Sequence, residues 1–277
     1  MKAARTRTAV TAALVGAVVA ALAVLAAPTA AQAVAPVTPT AMQPTGTINV
    51  FAAASLTGVF SGPIKAAFEK RYPGTTVVFT FSGSPTLVTQ IRQGAPADVL
   101  ATADEPNMAN AISNGSVTVR KPYPLNPLLF ARNTMAIAMP SNNPAGIRTL
   151  ADLARPGVRV GMCAAGVPCG TNARQLLEKN GVSVTPITLA TNVTQLLAQV
   201  QSGDLDAGIV FQTDVRSAQP RVASVIIPAA SNVFSNYPMA VVNGAPNPVG
   251  ARAFVDYVRY TISAQGILRA WGFAKPW

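Results

Sequence analysis

Short apolar segments alternate along this chain with segments whose apolar residues recur every three or four positions. The first pair sets the pattern. Ile48-Asn49-Val50-Phe51-Ala52 reads as a strand, and Leu56, Val59, Phe60, Ile64, Ala67 and Phe68 then form one stripe with Lys65, Glu69, Lys70 and Arg71 outside it. Pro73-Gly74 ends that helix, and residues 76–80 form the next strand. Further helices are expected over 85–93, 105–112, 172–179 and 248–260, and another on Val193, Leu196, Leu197 and Val200, ending near Gly203. Strands are expected over 98–101, 135–139, 158–162, 207–211 and 239–242. This alternation predicts an α/β fold with largely parallel sheets and right-handed crossovers. A length of 277 residues is enough for two lobes.

Residues 1–33 stand apart. Lys2, Arg5 and Arg7 precede an uncharged apolar run over 9–27, and Ala31-Gln32-Ala33 is a small-x-small cleavage signal. This is the pattern of a secretory signal peptide, so the mature chain is expected outside the cytoplasm; a retained membrane anchor is the competing reading. No cysteine lies near the exit to carry a lipid, and Thr6 separates the two arginines, so the twin-arginine signal is absent. Residues 34–46 are rich in Pro, Thr and Ala without periodicity and read as a flexible lead-in.

Composition removes several function classes. The chain has no histidine, which excludes Ser-His-Asp and Cys-His catalysis and His-ligated metal. Removing Lys2, Arg5 and Arg7 lowers the formal charge from +11 to +8, and the remaining cations are scattered without a Lys/Arg run. Nucleic-acid binding needs a clustered basic face, so none is expected. Cys163 and Cys169 sit six positions apart. In an exported protein a local disulfide is the better reading, with two free buried thiols the alternative. Asp98, Asp104, Asp206 and Asp214 each lie at a strand end or turn, where capping explains them better than metal ligation or catalysis. Neither Ser-x-x-Lys nor Gly-Lys-[Ser/Thr] occurs. Trp271 and Phe273 read as packing groups.

Four helix starts carry small or hydroxyl residues: Ala53-Ala54-Ser55-Leu56-Thr57, Ser82-Gly83-Ser84-Pro85, Val167-Pro168-Cys169-Gly170-Thr171 and Thr191-Asn192-Val193-Thr194. In the second, Ser84 is expected as N-cap and Pro85 at the first helical position. Ligands of parallel α/β folds bind beyond the strands' carboxyl ends, where helix N-termini converge with free N–H groups and the positive end of the helix dipole. One such turn is explained by capping alone. Four in one exported, histidine-free chain point to a neutral anion site.

The ordered set Phe51-Ala52-Ala53-Ala54-Ser55-Leu56, Ser84-x-Thr86-Leu87, Gly94-Ala95-Pro96-Ala97-Asp98 with Ala103-Asp104, Val167-Pro168-Cys169-Gly170, Gly208-Ile209-Val210 and Tyr237-Pro238-Met239-Ala240-Val241-Val242 resembles the molybdate-binding proteins of ABC transporters. The resemblance covers nearly all of residues 47–277 and includes the ending Trp271-Gly272-Phe273. It implies a two-lobed periplasmic-binding-protein fold, each lobe a mostly parallel sheet flanked by helices. One lobe would span 47–132 plus 238–277 and the other 133–237, with the ligand in the cleft between them. It implies an oxyanion held by the hydroxyls of Ser55 and Ser84 and by backbone N–H groups at Cys169 and Val193. The family often has a tyrosine donor where this chain has Phe211. Either Asn192 or Gln212 compensates, or binding is weaker, or the preference among tetrahedral oxyanions shifts.

The resulting expectation is a monomeric, non-enzymatic binding protein for molybdate, and tungstate as well, that needs no cofactor and delivers its ligand to a membrane permease. Molybdenum would enter only as the bound oxyanion, with no protein ligand to the metal. The rival expectations are a binding protein for sulfate or a small organic acid, and an exported enzyme on the same scaffold.

Overall fold

The computed structural model describes residues 43–121 and 126–276; the expected signal peptide, residues 1–33, and residues 34–42 of the expected lead-in lie outside them. Nine strands form one hydrogen-bonded array: β1 (Gly46–Ala53), β2 (Thr75–Ser82), β3 (Val99–Ala101), β4 (Leu128–Pro140), β5 (Val160–Cys163), β6 (Thr188–Ala190), β7 (Ala207–Phe211), β8 (Val222–Ile226) and β9 (Phe234–Val241). Their order is β2-β1-β3-β9-β4-β7-β5-β6, with β8 also on β4. Around them lie α1 (Thr57–Val59), α2 (Lys65–Arg71), α3 (Ser84–Arg92), α4 (Glu105–Ser113), α5 (Pro168–Lys179), α6 (Val193–Gln201), α7 (Gln212–Ala218), α8 (Pro248–Tyr260) and α9 (Ile262–Ala270).

The α/β class and two-lobed plan match the expectation, but the sheets are less parallel than strand–helix alternation suggested. β1 pairs in parallel with β2 and β3, and β5 in parallel with β6 and β7. The pairs β3–β9, β4–β9, β4–β7 and β4–β8 are antiparallel. The cause is the pair of long strands that join the two halves. The first part of β4 pairs with β9 from Leu128↔Met239 to Thr134↔Phe234; its second part pairs with β7 and β8. A chain that crosses on β4 and returns on β9 must run antiparallel where the two meet.

The stripe over 56–68 is not one regular helix. A 3₁₀ turn at Ala54–Leu56, α1, a π turn at Phe60–Ile64 and α2 follow one another. Pro63 lies in the π segment. It has no N–H, and its ring opposes the carbonyl four residues back, so the hydrogen-bond ladder steps out locally. The apolar stripe still faces inward: Leu56, Val59, Phe60, Ile64 and Phe68 are all fully buried. Phe60, Phe68, Phe79 and Phe254 pack there with centroids 5.2–6.2 Å apart, which ties this segment to α8. Strands β6 and β8 and helices α7 and α9 were not among the expected elements.

Candidate functional site

Four helix starts meet at one narrow cleft. Its walls include Ala54 and Ser55 after β1, Gly83 and Ser84 after β2, Val167, Pro168 and Cys169 after β5, and Asn192 and Val193 after β6. Ala103 and Phe211 complete the enclosure. All five residues expected at the site, Ser55, Ser84, Cys169, Val193 and Phe211, therefore border the same space. None of the lining side chains is charged.

Both serine hydroxyls are hydrogen-bonded on the protein side. The Ala103 N–H donates to Ser84 Oγ at 3.1 Å. Ser55 Oγ lies 2.9 Å from Tyr237 Oη. Ser84 is not the N-cap expected from sequence: Gly83 holds that position with extended φ/ψ, and Ser84 opens the helix with Pro85 next. The side chain is thereby released from capping and reaches the Ala103 amide instead. Only Gly allows this turn to sit where it does, because a Cβ on Gly83 would come 2.5 Å from the Thr191 carbonyl oxygen at the opposite wall.

On that wall α5 begins at Pro168, four residues before the expected start, since proline is pre-organised for a helix's first position. The Gly170 and Thr171 N–H groups both bond Val167 O, and Pro168 has no N–H. The Cys169 N–H is thus the one left in the opening of the helix, beside the cleft. Cys163 and Cys169 form a disulfide, which pins the start of α5 to the end of β5. Gly170 is required beneath it: a Cβ there would lie 2.1 Å from Ala164 O. At α6, Asn192 caps the helix through Oδ1, which accepts from the Gln195 N–H at 2.9 Å. Asn192 and Val193 both border the cleft.

Gln212, considered as a substitute donor, is turned away. Its Oε1 accepts from Thr134 Oγ1 at 2.9 Å. Phe211 is almost fully buried, its ring edge-on to Tyr237 at 5.8 Å. Phe130 and Phe273 hold Tyr237 on other sides. Tyr237, 182 positions from Ser55, entered the sequence reading only as the first residue of the Tyr-Pro-Met motif, with no role at the site; the fold brings its hydroxyl there.

The acidic residues are engaged structurally. Asp98 accepts from the Asn49 and Asn247 N–H groups, Asp104 caps α4 and takes two bonds from Asn107 Nδ2, and Asp206 pairs with Arg159 at 2.7 Å. Asp214 accepts from the Phe211 N–H at 3.0 Å, yet burial pushes its carboxyl up to about 7. Burial also raises Tyr237 well above the usual phenol range, so its hydroxyl stays protonated. Among the described residues no cluster of three or more His, Cys, Asp or Glu side chains is placed to hold a metal ion.

A cleft walled by helix starts, lined by uncharged residues and set between two α/β lobes has the chemistry of a receptor for a small anion. Comparison with known proteins agrees. Residues 48–274 match the family of bacterial extracellular solute-binding proteins, and the chain belongs to that family. It is 39% identical over 241 residues to the molybdate-binding protein ModA of Mycobacterium tuberculosis, spanning 87% of this chain and 88% of the relative. The periplasmic molybdate-binding protein of Azotobacter vinelandii has a similar structure, with TM-score 0.71 at 20% identity, covering 83% of this chain and 100% of the other. The sulfate-binding protein SubI of M. tuberculosis shares the fold as well, with TM-score 0.68 at 20% identity over 83% of this chain and 87% of the other.

Proposed function

We propose that this protein captures molybdate, and tungstate with it, outside the cytoplasm and hands it to the permease of an ABC transporter. The observation that carries this reading is the donor character of the cleft. Ser84 Oγ already accepts from a backbone amide, which leaves its proton for a ligand. The Cys169 and Val193 N–H groups can only donate. No lining carboxylate offers an acceptor. A fully deprotonated tetrahedral dianion satisfies such a site; a protonated phosphate brings an O–H that finds no partner and costs desolvation. The relative at 39% identity is a molybdate-binding protein, which supports this dianion over others.

In this reading the lobes divide near 132/133 and 237/238, within β4 and β9, and residues 1–33 export the chain, which acts as a monomer. Sulfate is the second reading, because a sulfate-binding protein shares the fold. An organic acid is disfavoured, since no Arg lines the cleft for a carboxylate clamp. An enzymatic role is disfavoured too: Cys169 is bridged, and no general base lines the cleft beside either serine. Titration calorimetry of the mature protein with molybdate, tungstate, sulfate and phosphate tests the proposal. Saturable binding of one molybdate per chain, with tungstate competing and sulfate much weaker, is expected. Preference for sulfate would move the protein to the second reading.

A further inference from the structure

Ser55 is held by a buried chain of side chains that belongs to no other function in the molecule. Asn133 Oδ1 accepts from the Thr134 N–H at 3.0 Å, which fixes the orientation of the Asn133 amide. Its Nδ2 then donates twice, to Thr213 Oγ1 at 2.8 Å and to Tyr237 Oη at 3.2 Å. Tyr237 Oη therefore receives a proton from Asn133. Among the described residues the acceptor in reach of its own proton is Ser55 Oγ, at 2.9 Å. Ser55 Oγ is thus an acceptor towards the interior, and its single proton is left to point into the cleft. Asn133, Thr213 and Tyr237 are each at most 1% exposed, so water does not compete for these bonds.

We propose that Tyr237, oriented by Asn133, is a positioning residue that fixes the polarity of Ser55, making it a donor to the bound oxyanion and occupying one of the two lone pairs with which it could accept a ligand proton. The inference rests on the reading of the cleft as an oxyanion site. It gives the chain a device for selecting by protonation state: with Ser84 already accepting from Ala103, each hydroxyl has one acceptor site filled and its proton free, so both favour an unprotonated oxygen over an O–H. A phenol behind Ser55 also compensates for the phenol missing at Phe211, because a hydroxyl that accepts one hydrogen bond donates a stronger one.

Tyr237→Phe removes the hydroxyl and keeps the ring that packs on Phe130, Phe211 and Phe273. Ser55 then regains a lone pair for ligands. We expect molybdate to bind about tenfold more weakly, as for one lost charge-assisted interaction. Hydrogen phosphate, measured by competition, should lose less or gain, so that the ratio of the two affinities narrows. Ser55→Ala should cost clearly less in the Tyr237→Phe background than in the wild type. Equal weakening of both anions, or the same Ser55→Ala cost in both backgrounds, would overturn the proposal and reduce Tyr237 to a packing residue. Asn133→Leu carries the same comparison should Tyr237→Phe not fold. A wild type that ignores molybdate and every other oxyanion would instead overturn the reading of the cleft itself, and the proposal with it.

Discussion

Gly83 and Thr191 face each other across the cleft so closely that a Cβ on the glycine would lie 2.5 Å from the Thr191 carbonyl oxygen. Both sit at helix starts that wall the site, one before α3 and one before α6. The backbone at Gly83 has φ −61° and ψ 139°, which any residue adopts, so its small size matters here and its flexibility does not. Gly83→Ala should force the two walls apart and lower the melting temperature, because the opposing atom is backbone and cannot swing aside. Molybdate affinity should fall by at least about tenfold, because the donors of the far wall no longer reach the anion. Calorimetry alongside thermal melting checks both halves; unchanged affinity would mean that binding does not require the two walls this close.

Ser84→Ala separates binding from stability in a different way. Since Gly83 is the N-cap, no capping bond is lost. The Ala103 N–H, however, loses its acceptor in a buried setting. A stability loss of about 1–3 kcal/mol is expected from that unpaired amide. Molybdate binding should weaken in addition, and Ser84→Gly should behave like the alanine variant. Chemical denaturation and calorimetry on the two variants measure the effects separately.

Phe211→Tyr adds a phenol at the cleft wall, with Tyr237 packed edge-on behind it. If the new hydroxyl points at the anion, molybdate binding should tighten by up to about tenfold. Gln212 does not compete for that place, being bound to Thr134. Weaker binding would mean that the Asn192 amide already supplies this donor and the added oxygen crowds it.

Asp214 makes stability depend on pH in an unusual direction. Its carboxyl titrates at about 7 in the fold, against an unfolded value near 3.8. Between those values the folded state holds a proton that the unfolded state has released. Stability is therefore full below the unfolded value, falls as pH rises towards 7, and levels off above it. Asp214→Asn keeps an oxygen that can accept from the Phe211 N–H while removing the charge. The variant should be more stable than wild type above neutrality, by a few kcal/mol at the order-of-magnitude level, and should flatten the decline. Denaturation midpoints measured from acid to mildly alkaline pH check the slope; parallel curves for both proteins would rule this assignment out.

The sequence reading reached the site further than it reached the frame. Ser55, Ser84, Cys169 and Val193 lie at helix starts whose small and hydroxyl residues pointed to an anion site, and the resemblance to molybdate-binding proteins singled them out together with Phe211; all five border one cleft. The strands and helices with strong periodicity were legible for the same local reason. What escaped was non-local. Ser84 was expected as a cap because Ser-Pro suits that role, yet its partner is Ala103, 19 positions away. The antiparallel middle of the sheet follows from β4 and β9 crossing side by side, which no local pattern announces. Tyr237 is one residue of a family-like motif, without a role of its own, until the fold sets its hydroxyl 2.9 Å from Ser55.

The most direct test of the central claim is anomalous diffraction at the molybdenum absorption edge from crystals grown with molybdate. The account predicts one strong peak per chain, within hydrogen-bonding reach, through its oxygens, of Ser55 Oγ, Ser84 Oγ and the Cys169 and Val193 amides. A peak elsewhere on the chain, or an empty cleft at saturating molybdate, would contradict it.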